Sequence, residues 1–84
     1  MPAPTIDPNH RDPTEVAATD TYRPNDPVWV YRDGVWRAGI VDGSSKLAAT
    51  VIYRSNGARG IGVDIRTAPY VLARSEMDPL IDSL

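Results

Sequence analysis

Apolar positions along this chain recur mostly at every second residue, and the runs are short. Pro27-Val28-Trp29-Val30-Tyr31 is built from strand-forming residues, with its proline confined to the first place. Asp33-Gly34 follows, a dipeptide suited to the positive backbone angles of a tight hairpin. Residues 35–42 then read as a second strand, with Trp36, Ala38 and Ile40 on one face and Arg37, Gly39 and Val41 on the other. Gly43-Ser44-Ser45-Lys46 predicts the next turn, residues 48–54 a third strand, and Asn56-Gly57 with Gly60 another reversal. In a fourth strand over 61–66, Ile61, Val63 and Ile65 alternate with Gly62, Asp64 and Arg66. Pro69 cannot donate to a ladder and interrupts the pattern before a short fifth strand over 70–74.

Five short strands in about 54 residues are too few for two stacked sheets with a thick core. A strongly bent sheet that curls on itself covers its edges and buries one face with few residues. The fold class expected is therefore all-β: a small, partly open, five-stranded SH3-like barrel over residues 22–75. Gly39 and Gly62 stand inside strands, where glycine permits bends or bulges. The alternation is read with Val28, Val30, Ala38, Ile40, Val63 and Ile65 turned inward. That phase sends Trp29, Tyr31, Arg37 and Arg66 outward, and Arg54 joins them when Val51 and Tyr53 face the core.

The flanks look different. Residues 1–21 hold Pro2, Pro4, Pro8 and Pro13 among Thr, Asp and Ala, the composition of a flexible, disordered N-terminal arm. Within it, Asp12-Pro13-Thr14-Glu15 carries a helix-start signature, but Val16-Ala17-Ala18 is too brief to propagate a helix, so a turn is expected. Residues 76–84 form a short acidic tail with Met77, Leu80, Ile81 and Leu84. Charge sharpens this division. The whole chain has a formal net charge of −2. The arm contributes −3 (Arg11 against Asp7, Asp12, Glu15 and Asp20) and the tail −3 (Glu76, Asp78 and Asp82). The middle sets eight basic residues, seven of them Arg, against Asp26, Asp33, Asp42 and Asp64, for +4. Acidic flanks thus enclose a basic module, onto which they are placed to fold back and compete with an anionic partner.

The residues Asp26-Pro27-Val28-Trp29-Val30, Asp33-Gly34-Val35-Trp36-Arg37-Ala38-Gly39-Ile40-Val41 and Ala49-Thr50-Val51-Ile52-Tyr53 together resemble the Tudor, PWWP and KOW branch of the SH3-like barrels. The resemblance covers residues 24–74. It implies a five-stranded barrel with a short helical turn before the last strand, at Thr67-Ala68-Pro69, and a binding role toward peptides, nucleic acid or another subunit. It also implies that Trp36 and Tyr53 lie where two aromatics of a methyl-side-chain cage stand, although Ser55 and Asn56, at the next cage positions, carry no ring.

Little here points to catalysis. The one histidine, His10, stands in the arm, where nothing fixes it for proton transfer, and there is no cysteine to act as nucleophile or ligand. No metal-ligand spacing, cofactor motif or apolar run of about 20 residues is present, so neither cofactor nor membrane is expected. Without a basic-then-apolar leader a cytoplasmic location is expected, and eight Arg to one Lys suggests a bacterial source. The expected function is a non-catalytic binding module. In one reading Arg37, Arg54, Arg66 and Arg32, with Trp29 and Tyr31 for stacking, contact nucleic acid or a nucleic-acid machine. In another, Trp29, Tyr31, Trp36 and Tyr53 take a peptide, as in a protein–protein adaptor. In a third an exposed edge strand pairs with its copy. The oligomeric expectation is a monomer or a weak homodimer.

Overall fold

The computed structural model describes residues 3–54, 60–75 and 77–82. The expected reversal at Asn56-Gly57, together with Arg59, Glu76 and Leu84, lies outside the described residues. Five antiparallel strands, β1 (Pro27–Arg32), β2 (Val35–Ser44), β3 (Ala49–Arg54), β4 (Ile61–Arg66) and β5 (Val71–Ala73), form a single sheet in the order β4-β3-β2-β1-β5. A 3-10 turn, Ala68–Tyr70, precedes β5 at the place where the resemblance implied one. The meander is compatible with an SH3-like fold, and the sheet is not closed: β4 and β5 are its edges. Among the described residues no helix is long and apolar enough to cross a membrane.

Local chemistry accounts for each reversal. Asp33 and Gly34 both take positive φ (53° and 82°), the geometry whose twist matches a two-residue hairpin. Asn25, at φ 73°, shapes the approach to β1, where the Asp26 carboxylate accepts from the Arg23 amide at 2.9 Å. β2 runs further than expected, and the turn moves on to Ser45–Ala48, where the Ser45 amide donates to the Ala48 carbonyl at 2.9 Å. The bulge in β2 falls between Val41 and Gly43. It sits at neither Gly39 nor Gly62, and those glycines serve close approach instead. A Cβ on Gly39 would come within 2.7 Å of the Ile52 carbonyl oxygen and 2.8 Å of Val51 Cγ1, and one on Gly62 within 2.5 Å of the Tyr53 ring.

The core gathers Tyr22, Val28, Val30, Val41, Ala49, Val51, Tyr53 and Val71 on one face of the curled sheet. β1 and β3 therefore alternate as read, with Trp29 and Tyr31 turned away and only half-buried. β4 alternates in the opposite phase to the one expected. Its register pairs Tyr53 with Gly62 and Val51 with Asp64, so Gly62, Asp64 and Arg66 share the core face. Ile61, Val63 and Ile65 point out, 55%, 63% and 65% exposed. Arg37 and Arg66, expected outside, likewise lie on the core side of their strands and are half-buried. In β4 the physical reason is that the Tyr53 ring needs a bare backbone beneath it, which Gly62 alone supplies. In β2 Gly39 is the residue paired with Val28 and Tyr53, so Arg37 and Val41 share the core face, and Ala38 and Ile40, expected inward, take the other.

On the opposite face Trp36, Ala38 and Ile40 are also buried. The chain's two ends cover that face. The arm lies over Trp36, whose indole N–H donates to the Ile6 carbonyl at 2.9 Å. The short helix α1 (Pro79–Asp82) rests against β2 and β3 and buries Ile81 completely. The helix signature in the arm yields only a 3-10 turn, Pro13–Glu15, with the Asp12 side chain accepting from the Thr14 amide.

Close approach at Gly39 sets a test. Gly39→Ala should destabilise the fold by about 1–3 kcal/mol in chemical denaturation, because backbone and not a flexible tip blocks the added methyl. Gly43→Ala, where the methyl meets open space, should stay within about 0.5 kcal/mol of the parent.

Candidate functional site

Two groups of side chains carry chemistry, one cationic and one aromatic. The cationic group is largely self-neutralised. Arg32, at the end of β1, reaches across to β4 and donates through Nη1 to Asp64 Oδ2 at 2.7 Å, while its Nε lies 3.7 Å from Asp33. Its guanidinium carbon also sits 5.4 Å from the centre of the Tyr53 ring, a cation–π contact. Arg66 Nε lies 2.9 Å from the same Asp64 oxygen, without the alignment of a hydrogen bond, and its guanidinium faces the Tyr70 ring at 5.8 Å. Arg54 projects from the other face of the sheet and pairs with Asp78 at 3.3 Å.

Arg74, which sequence reasoning left near a strand end, is buried. It donates to the carbonyls of Val28 (3.1 Å) and Gly39 (3.0 Å), pairs with Asp82, and lies 6.0 Å from the Trp29 ring centre. The acidic tail thus does fold back: Asp78 and Asp82 meet Arg54 and Arg74. Arg37 differs from these in having no carboxylate partner among the described residues; its Nε, like that of Arg66, is buried without a hydrogen bond.

These contacts favour the ionised forms of Asp64 and Asp82. Burial pushes the Asp64 carboxyl up, but hydrogen bonds from Arg32 and the Ile65 amide and the charge of Arg66 outweigh it and hold the group below its ordinary range. The Arg74 hydrogen bond, against a smaller opposing effect of burial, holds Asp82 low as well.

The aromatic group is arranged differently from the expectation. Trp36 and Tyr53 stand on opposite faces of the sheet, so they form no common cage. Trp36 instead meets Tyr31 edge-to-face, ring centres 5.1 Å apart, and Tyr31 meets Tyr70 at 6.3 Å. Trp29, the other proposed contact, lies apart from this row beneath Arg74. Tyr70 was missed; its signal was the Thr67-Ala68-Pro69 turn, which sets the next residue beside β1 through the β1–β5 pairing.

The arm runs along this row. Trp36 donates to the Ile6 carbonyl, and Tyr70 Oη donates to Asn9 Oδ1 at 3.2 Å. Pro8 is buried, and Arg11 Nη1 donates to the carbonyls of Ala68 (3.3 Å), Pro69 (2.7 Å) and Val71 (3.0 Å). On either side of the Pro8–His10 turn the arm's backbone is near polyproline II, with φ/ψ of −74°/123° at Asp7 and −69°/141° at Arg11. Clefts of about 380 Å³ and 420 Å³ remain where the arm meets the barrel, one along Tyr31 and Trp36, the other along Pro69 and Tyr70.

No family model, curated protein or solved structure matches this chain.

Because the folded-state carboxyls of Asp64 and Asp82 titrate below their unfolded values, their contribution is present above the unfolded carboxylate range near pH 4 and is lost as pH falls through the folded values. Urea denaturation between pH 6 and pH 2 should show stability falling over that acidic window, and Asp64→Asn should flatten part of the fall.

Proposed function

We propose that this chain is a non-catalytic protein-interaction module that takes an extended, proline-bearing peptide across Tyr31, Trp36 and Tyr70. The observation that carries this reading is the Trp36 indole N–H aimed at a main-chain carbonyl between two prolines of the arm, Pro4 and Pro8. An indole donor and flat rings suit a polyproline II segment. Such a segment has unsatisfied carbonyls, stacks its pyrrolidine rings on aromatic faces and loses little entropy on binding because it is already stiff. The arm supplies such carbonyls and prolines, in extended backbone broken by the 3-10 turn Pro8–His10, and is held in place by the chain's own connectivity. A ligand in trans makes the same contacts in competition with it.

Among the proposed basic contacts, Arg32, Arg54 and Arg66 each face a carboxylate, so an incoming phosphate must displace an existing partner. This weighs toward the peptide reading. Nucleic acid is the second reading, because Arg37, alone of the four proposed basic contacts, has no carboxylate partner among the described residues.

A synthetic peptide spanning residues 3–12, titrated against the full chain and followed by isothermal titration calorimetry, tests the proposal. Arg11→Ala frees the arm and should strengthen binding of the added peptide. Trp36→Phe in that background keeps a flat, smaller aromatic ring but removes the indole donor, and should weaken binding by about five- to tenfold. The affinity should depend weakly on salt, whereas a DNA oligonucleotide bound through phosphates gives a steep log–log slope. Binding indifferent to both substitutions would overturn the reading.

A further inference from the structure

Among the described residues β4 is an edge strand with no strand beside it but β3. It carries neither lysine nor proline, the residues with which natural sheets commonly blunt an edge. Its two charges, Asp64 and Arg66, turn to the core side and are engaged there with Arg32 and Tyr70. On the outside Ile61, Val63 and Ile65 make an unbroken aliphatic row. The other edge is treated differently, for Arg11 of the arm is bonded to the carbonyl of Val71 in β5. The Ile65 amide finds its acceptor in the adjacent Asp64 carboxylate at 2.9 Å, as suits an edge group with no neighbouring strand.

We infer that β4 pairs antiparallel with β4 of a second copy of this chain, about a two-fold axis at Val63, joining two five-stranded sheets into one. This goes beyond the peptide groove and does not depend on it: Arg66 on the core side of β4 meets Tyr70, but the proposed pairing uses the open edge and the outward row Ile61, Val63 and Ile65. The second copy is favoured as occupant because the strand is complementary to itself. With Val63 opposite Val63, Ile61 stands opposite Ile65 on both sides, and every cross-strand pair on the outer face is aliphatic. On the other face each Asp64 stands opposite Gly62, so no like charges meet. Sliding the pairing by two residues one way sets Asp64 directly against Asp64, a repulsion; sliding it the other way sets Gly62 against Gly62 and leaves Ile65 with no aliphatic residue opposite, so both registers are disfavoured. Residues directly opposite on paired strands must share a face, so a slip of one residue is excluded as well.

The row is short, and interfaces burying less than about 1,200 Å² in total are weak and transient. Sedimentation of the full chain should therefore be followed up to about 1 mM, where we expect mass to rise from monomer toward dimer with concentration. Val63→Lys, placing two like charges at the axis, should weaken association by about tenfold or more, while Leu47→Lys, exposed and outside the strands, should leave it unchanged. Circular dichroism establishes that both variants are folded.

The absence of cysteine from the chain allows the register to be read directly. Opposed residues that exchange hydrogen bonds have Cα atoms about 5.5 Å apart, within disulfide reach. Under mild oxidation Val63→Cys should therefore form a covalent dimer. Ile61→Cys and Ile65→Cys, whose own copies lie about 13 Å apart along the strand, should cross-link with each other when mixed and much less with themselves. A chain monomeric at every concentration, a Val63→Lys variant that associates like the parent, or self-linking of Ile61→Cys ahead of Val63→Cys would each overturn the inference.

Discussion

The phase of β4 is the constraint on which the remaining structure turns. A strand has two faces, and its sequence alternation does not say which of them meets the core. Here the choice is made by one ring. Tyr53 projects into the core from β3 and needs the space over the paired residue of β4, which Gly62 leaves free. Once Gly62 faces inward, Asp64 and Arg66 must follow it two and four residues on. Their charges then have to be satisfied at the lip of the barrel, and Arg32 reaches over from β1 to do so. The same step sends three aliphatic side chains to solvent on an open edge. Core filling, charge pairing and the exposed apolar row are thus three consequences of a single register.

The terminal segments matter for a related reason. A sheet of this size buries too little surface with one face alone to be comfortably stable. The second face of β2, with Trp36, Ala38 and Ile40, is closed by pieces of chain that lie outside the barrel in sequence. α1 contributes Ile81 and is tied down by Asp82 on Arg74, while the arm contributes Pro8 and the Ile6 carbonyl and is tied down by Arg11. Arg74 and Arg11 both spend their donors on main-chain carbonyls, so part of the basic excess in the sequence is structural. The arm's closure differs in kind from α1's: Trp36 and Tyr70 donate to acceptors on the arm, the Ile6 carbonyl and the Asn9 side chain, which another chain can reproduce.

How legible was this in the sequence? The strands, the Asp33-Gly34 hairpin and the turn before β5 were, because each rests on backbone rules that act over a few residues. The outward set of Trp29 and Tyr31 was too, since Val28 and Val30 are the obvious core pair. β4 was misread because Ile61, Val63 and Ile65 are the more apolar row, and hydrophobicity was allowed to choose the face. The competing signal, a glycine opposite a tyrosine, exists only once the β3–β4 register is known. The pairing of Trp36 with Tyr53 failed likewise, because the residues belong to opposite faces of adjacent strands. The ion pairs of Arg32, Arg54 and Arg74 span 32, 24 and 8 residues, distances over which charge counting gives a total but no partner.

Proton–proton contacts in solution test this account most directly. With Gly62 beneath the Tyr53 ring, the Gly62 α-protons should show strong nuclear Overhauser contacts to that ring and a ring-current shift. The methyls of Val63 and Ile65 should show none to Val28, Val30 or Val51. Val63 and Ile65 methyls in contact with those core valines, and a Gly62 remote from Tyr53, would contradict the register and everything drawn from it.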